Sequence, residues 1–386
     1  MSRQTGSGQT GIAFIGTGFV ADYYMTTLVN HPGLRLAGVW DIDPARLKQF
    51  CDYWNVRAYA SSDELLADPA ITIVVNLTTP ESHYAVNKAS LLAGKHVYCE
   101  KPLAMTVDEA CEVVAIAEER GVVLAGAPAN ALSDAKAHCA DILASGVIGT
   151  PRLAYAEMED GPVFLDNWQE WRSRSGAKWP GVHEFEIGCT LEHAGYATSW
   201  LVSLFGPVAN VAAFSALTFP NKGPGTEELV LGPDFSTGCL TFRSGLVARL
   251  TSGLAAPRDR SLTIIGDTGT IVVRDLWDNR SPVHVSLVGS RRPLRHKLLD
   301  RIERHLKRKL PFRLLTGKSV PYPHAAAKSS LPTYPSQIDF VRGIAAQAEA
   351  IAAGTQPIFA GKTALHLTEI VLALNAGKRD YTPTGL

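Results

Sequence analysis

From residue 11 to about residue 126, short apolar runs alternate with amphipathic stretches. GIAFIG (11–16), LRLAGVW (34–40), ITIVVNL (71–77), KHVYCE (95–100) and VVLAGA (122–127) have the length and β-former content of buried strands. Helical patterns begin near Val20, Pro44, Pro80 and Thr106. The last opens with TVDE, where Thr106 and Glu109 have the spacing of a capping box. This alternation predicts a parallel sheet covered on both faces.

The pattern then changes. RLAYAEME (152–159), VANVAAFSALTF (208–219), STGCLTFRSGLVARLTSGL (236–254), SLTIIGDTGTIVV (261–273) and PVHVSLV (282–288) resemble antiparallel strands joined by glycine-containing turns, with GDTGT (266–270) as one hairpin turn. A helix is predicted from Glu186 to about Phe205, and two more close the chain at 335–353 and 361–376. The division that follows is a disordered tail at 1–10, an α/β domain at 11–128, and an α+β domain at 129–386 with an open, mostly antiparallel sheet. Helix 361–376 is expected to pack back on the first domain.

Across 386 residues, 37 basic side chains balance 37 acidic ones, which argues against nucleic acid as a partner. The six cysteines are scattered, without C-x-x-C spacing or a neighbouring histidine tract, so neither a disulfide framework nor a metal site is expected. The start, MSRQTGSGQTG, lacks the apolar core of a signal peptide, and nothing approaches 18 uninterrupted apolar residues. A cytoplasmic protein is expected.

Chemistry enters at AFIGTGFVAD (13–22), which places Gly16-x-Gly18-x-x-Ala21 between the first strand and a helix. Gly16 suits a tight turn, Gly18 lets the backbone approach a pyrophosphate, and Ala21 allows close packing, while the helix N-terminus offers free N–H groups. Thr17, Phe19 and Val20 complete the loop. This loop makes 11–128 an NAD-binding, dinucleotide-binding (Rossmann) domain in expectation; the alternative is a tight turn without a ligand. Asp41 closes the second strand about where a ribose-binding acid is expected, and a carboxylate there favours NAD over NADP. Arg46, one helical turn on, is near enough to assist a phosphate.

CEKPLAM (99–105) puts an acid, a base and a proline where the fourth strand ends. A lysine at the carboxyl edge of such a sheet can bond a substrate oxygen or relay a proton; a surface ion pair at a strand end is an equal alternative on these residues alone. The wider stretch NLTTPESHYAVNKASLLAGKHVYCEKPLAMTVDEA (76–110) resembles the glucose–fructose oxidoreductase/inositol dehydrogenase/rhizopine-catabolism (Gfo/Idh/MocA) family, as does DFVRGIAAQAEAIAAG…GKTALHLTEIVLALNAGK (339–378). The resemblance implies a catalytic Lys101, a cofactor region with Gly16, Gly18, Asp41 and Glu100, a nicotinamide side with Thr78, Pro80 and His83, and a homo-oligomer.

The family often carries an Asp and a His four residues apart on the first helix of the second domain. Aligned on Gly188, HEFEIGCTLEHAGYATSWLVSLFGP (183–207) has Glu186 and Thr190 at those places, and a histidine returns at His193. On one continuous helix Glu186, Thr190 and His193 share a face. His193 and Glu186 are therefore taken as the acid–base pair, with a packed histidine as the alternative, and Thr190 as a substrate-positioning group. Arg172 and Trp171, in NWQEWRSRSG (167–176), are candidates for gripping sugar hydroxyls.

One stretch falls outside this picture. Residues 291–318 hold eleven Lys/Arg against two acids, with Leu294, Leu298, Ile302, Leu306 and Leu310 at helical spacing. Such a helix suits an anionic membrane surface or an acidic partner; the favoured expectation is an insertion whose leucines pack on the sheet. Together these features predict an NAD-dependent oxidoreductase interconverting a secondary alcohol and a ketone on a sugar, cyclitol or nucleotide sugar. The alternatives are a glycosidase or lyase that cycles tightly bound NAD, and a non-enzymatic NADH-binding sensor.

Overall fold

The computed structural model describes residues 9–289, 294–308, 310, 317–333 and 336–386, without the side chains of residues 295 and 296. Most of the expected N-terminal tail lies outside the described residues, but Thr10 already belongs to the first strand. The first half forms strands β1 (Thr10–Ile15), β2 (Leu34–Trp40), β3 (Ile73–Asn76), β4 (His96–Cys99) and β5 (Leu124–Gly126), and helices α1 (Ala21–Leu28), α2 (Pro44–Trp54), α3 (Ser62–Ala67), α4 (Pro80–Leu92) and α5 (Val107–Arg120). The sheet order is β2-β1-β3-β4-β5, all parallel. Its strands are apolar runs because both faces are covered; all four residues of β3 are buried.

Local chemistry fixes where these helices start. Asp43 caps α2 by accepting from the N–H groups of Ala45 and Arg46, with Pro44 in the first turn. At α5 the Thr106 hydroxyl accepts from Glu109 N–H at 3.2 Å, while the Glu109 carboxylate lies 3.0 Å from that hydroxyl. The capping box is thus closed through side chains rather than through the Thr106 backbone N–H.

The second half contains α6 (Asp134–Ala144), β6 (Pro151–Glu159), α7 (Gly181–Ile187), α8 (Cys189–Phe205), β7 (Val208–Ala216), β8 (Phe235–Phe242), β9 (Val247–Gly253), β10 (Leu262–Gly266), β11 (Gly269–Val273), β12 (Val283–Leu287), α9 (Leu294–Leu306), β13 (Lys318–Ser319), α10 (Arg342–Ala353) and α11 (Lys362–Asn375). The eight-stranded sheet, ordered β13-β12-β11-β10-β6-β9-β8-β7, is antiparallel except for the β6–β9 pair. In β8, buried Ser236, Gly238, Leu240 and Phe242 alternate with outward residues, the period of a sheet with one covered face. Helix α8 packs on β6 and β9 and against α11.

One expectation fails here. The helix predicted from Glu186 is interrupted, because Gly188 at φ +94° separates α7 from α8. A Cβ at that position would sit 2.8 Å from the Pro233 carbonyl oxygen, so the break requires glycine on two counts.

The halves meet along the C-terminal helix. Ala360, just before α11, bridges to Ala125 of β5, and the Thr368 hydroxyl accepts from Leu103 N–H at 3.3 Å. That contact anchors the segment just after Lys101 to the second half.

Candidate active site

The site lies beyond the carboxyl ends of the parallel strands, where β1 and β3 send their connections apart and open a crevice. Gly16 adopts φ +97° and presses against the backbone of Leu77 and Thr78, so close that a Cβ would lie 2.6 Å from the Leu77 carbonyl oxygen. Gly18 faces open space instead. Among the described residues, the N–H groups of Gly18, Phe19 and Val20, at the mouth of α1, have no protein acceptor. Asp41, after β2, accepts from Thr17 N–H and hydroxyl at 2.7 and 2.8 Å through one oxygen and from Asp43 N–H through the other. Free amides, a glycine that leaves room and a carboxylate at the next strand are the donor set a dinucleotide needs. Arg46, beside the loop, is engaged by protein acceptors. It donates to the carbonyls of Thr17 and Ser175, and to the Ser175 hydroxyl.

The Glu100-Lys101-Pro102 turn is held from three sides. Glu100 N–H donates to the Asn76 carbonyl, its carboxylate accepts from Tyr24 hydroxyl at 2.6 Å, and the Lys101–Pro102 peptide is cis. His83, buried on α4, has Nδ1 2.6 Å from the Pro102 carbonyl and Nε2 3.1 Å from the Thr78 carbonyl. The ring lies between two backbone carbonyls, one of which a neutral imidazole can bond through its single N–H, and it braces the Lys101 turn against the Thr78 side of the crevice. Pro80 opens α4, and the Thr78 hydroxyl donates to Asn76 Oδ1 at 2.6 Å, so Thr78 and Pro80 shape the same crevice wall.

Lys101 Nζ donates to Glu192 Oε2 at 2.6 Å and lies 5.7 Å from the Tyr196 ring centre. Burial would lower the pKa of its ammonium, but the carboxylates of Glu192, Glu100 and Glu184 outweigh burial and hold it above the ordinary lysine value. Burial likewise raises the Glu192 carboxyl, and the opposing charge and hydrogen bond of Lys101 bring the net shift below the ordinary range.

Beside this pair stands His193 on α8. Its Nε2 lies 3.1 Å from Asp160 Oδ2, just after β6, and 3.2 Å from Glu184 Oε1 on α7. Nδ1 is buried and has no partner among the described residues. Burial lowers the imidazole pKa, with Asp160 pulling the other way, so neutral imidazole prevails near neutral pH. Glu184 is pushed well above the usual carboxyl range by burial, then by Glu192 and Asp160, with Lys101 opposing. Arg260 closes the cluster, 3.6 Å from Asp160 and 3.2 Å from Asp275.

Of the other candidates on this side, Glu186 and Thr190 lie outside this cluster. Glu186 is exposed, because the break at Gly188 resets the helical phase and turns Glu184 inward in its place. Thr190 is fully buried and donates to the Ser236 hydroxyl of β8 at 2.7 Å, so it binds the sheet rather than a substrate. Arg172 is exposed and folds back on the carbonyls of Gln169 and Trp171; Trp171 packs against Trp179 at 5.0 Å. Glu184, Glu192 and Asp160 are the residues the sequence did not single out. A glycine inside the helical pattern, Gly188, was the one available sign of the phase change.

The comparisons with known proteins agree with this architecture. Residues 10–127 match the oxidoreductase family with NAD-binding Rossmann fold (Gfo/Idh/MocA), and residues 137–272 match the Gfo/Idh/MocA C-terminal domain. An uncharacterized oxidoreductase of Synechocystis sp. is 26% identical over 273 residues, covering 68% of this chain and 71% of that protein. The 1,5-anhydro-D-fructose reductase of Ensifer adhaerens is 41% identical over 125 residues, 31% of this chain and 36% of that enzyme. A levoglucosan dehydrogenase solved with NADH and L-sorbose shares the fold at a TM-score of 0.76 and 17% identity, covering 98% of this chain and 100% of that one. The chain belongs to the Gfo/Idh/MocA family and is an NAD-binding oxidoreductase.

Proposed function

We propose that the protein interconverts a secondary alcohol and a ketone on a sugar, a cyclitol or a nucleotide-linked sugar, with NAD as its cofactor. The observation that carries this is a Lys101 ammonium at the sheet edge, bonded to Glu192 from the second half and flanked by His193. Bound nicotinamide supplies the hydride donor or acceptor. Lys101, kept cationic, donates a hydrogen bond to the reacting oxygen and stabilises its alkoxide character. His193 takes or returns the hydroxyl proton: with Nε2–H directed to Asp160 and Glu184, the Nδ1 lone pair is the free base. Glu184, whose carboxyl burial raises well above the ordinary range, lies in contact with that ring.

Preference for NAD is supported by Asp41, whose charge would repel a 2′-phosphate, and by the engagement of Arg46 with protein acceptors. A sugar-like substrate is supported by the reductase and dehydrogenase named above. Neither relative is a glycosidase or lyase, and a cleft with a free base beside a cation has no evident use in a sensor. The test is purified protein titrated with NADH and NADPH, then screened against polyols, cyclitols and nucleotide sugars. Lys101→Ala should lower kcat by roughly 10²–10⁴-fold with NADH affinity nearly unchanged. Retained turnover in that variant would remove Lys101 from the chemistry.

A further inference from the structure

None of the described residues of the basic segment at 291–318 is among those gathered around Lys101 and His193. Of it the structure describes α9, its following turn and the chain from Gly317 onward. The expectation that its leucines pack on the sheet is not met by four of the five, Leu310 past the helix being partly buried. Leu294 is 83% exposed, Leu298 59%, Ile302 39% and Leu306 44%. These residues recur every fourth position, so they form one slowly drifting stripe along the whole helix. Lys297, Arg301 and Arg304 follow a second row at i, i+4 and i+7, and Lys307 and Arg308 continue the cations past the helix end. Val288, 79% exposed, adds an apolar side chain just before the segment.

An exposed apolar stripe of this length is unusual on a protein surface and marks a contact site. Its flanking cations select the partner by charge. A helix with leucines on one face and Lys/Arg beside them lies in the plane of an anionic bilayer, with leucines in the acyl boundary and cations among the headgroups. A second copy of the chain is the competing occupant, since the remainder of this neutral protein sums to −9.

We propose that α9 is a docking surface for an anionic phospholipid bilayer, holding the enzyme at a membrane by reversible interfacial contact. No helix among the described residues is long and apolar enough to cross a membrane, so contact of this kind is peripheral. The cations draw the protein to the surface and the leucines retain it, so attachment weakens with salt.

The test is co-flotation of the full-length protein with vesicles of phosphatidylcholine alone and of phosphatidylcholine with equimolar phosphatidylglycerol, alongside its mass in solution. The expected result is binding to the anionic vesicles only, reduced at least tenfold in both Leu298→Glu/Ile302→Glu and Arg301→Glu/Arg304→Glu, with NADH binding unchanged as the check on folding. Wild-type protein that stays unbound to anionic vesicles at low salt would overturn the proposal. So would variants that float normally but shift to a smaller mass, which would assign the stripe to self-association.

Discussion

The two walls of the cleft are built in different ways. The first wall comes from consecutive residues: Glu100, Lys101 and Pro102 follow one strand, and Tyr24, Asn76 and His83 hold that turn through its carboxylate and backbone. The second wall has no such unit. His193 comes from α8, Glu184 from α7 across a helix break, and Asp160 from the end of β6. A contiguous turn tolerates drift in the remaining chain, whereas a cluster gathered from three elements depends on all three keeping their places. The family resemblance accordingly covers residues 76–110 closely, and the His and Asp positions of the second wall are refilled with other residues.

The Lys101–Glu192 bond joins the two walls, and removal of Glu192 is expected to have the largest effect among the supporting residues. Glu192→Gln should lower kcat by roughly tenfold to a hundredfold, less than the ~10²–10⁴ of a group in direct proton transfer. The sign of its pH effect is fixed. The carboxylate helps to raise the Lys101 pKa against burial, so without it that pKa falls, and the alkaline limb of kcat/KM moves to lower pH. An unmoved limb in a full pH profile would mean that the two walls are not electrostatically joined.

A smaller effect is expected within the second wall. Burial lowers the His193 pKa and Asp160 raises it, so Asp160→Asn should lower it further. The acid limb of alcohol oxidation then moves to lower pH, with kcat at neutral pH changed only a few-fold. A shift toward higher pH would contradict the contact of Asp160 with the imidazole.

Smallest is Thr190, which the sequence placed among the substrate contacts. Thr190→Val leaves Ser236 without its hydroxyl partner and should cost about 1 kcal/mol of stability in denaturant unfolding. KM for the substrate should stay as it is. A raised KM with unchanged stability would return Thr190 to the site.

The contrast between the walls also explains what the sequence could reveal. Strand–helix alternation with fully buried runs identifies a parallel sheet, and the first five strands and the hairpin at 266–270 follow from local pattern, whereas the order of the strands in the sheet does not. The glycine loop, Asp41 and the Lys101 turn were legible because each is a short stretch at a strand end. Glu184 and Glu186 are separated only by phase. Counting one unbroken helix from Glu186 gives the inward place to Glu186, and the left-handed Gly188 gives it to Glu184. Nothing local distinguishes Asp160 from any acid following a strand. The leucines of α9 show the same limit: their spacing predicts a face, and only the fold shows that this face is left open.

The most direct test of this account sets His193→Asn against Glu186→Gln, with kcat measured for both on whichever polyol or sugar the wild type oxidises with NAD. The account predicts a loss of about 10²-fold or more for His193→Asn, and turnover within about twofold of wild type for Glu186→Gln, as for an exposed side chain outside the site. Near-normal turnover in His193→Asn with a collapse in Glu186→Gln would contradict it, and would mean that α7 and α8 join into one helix when the enzyme works.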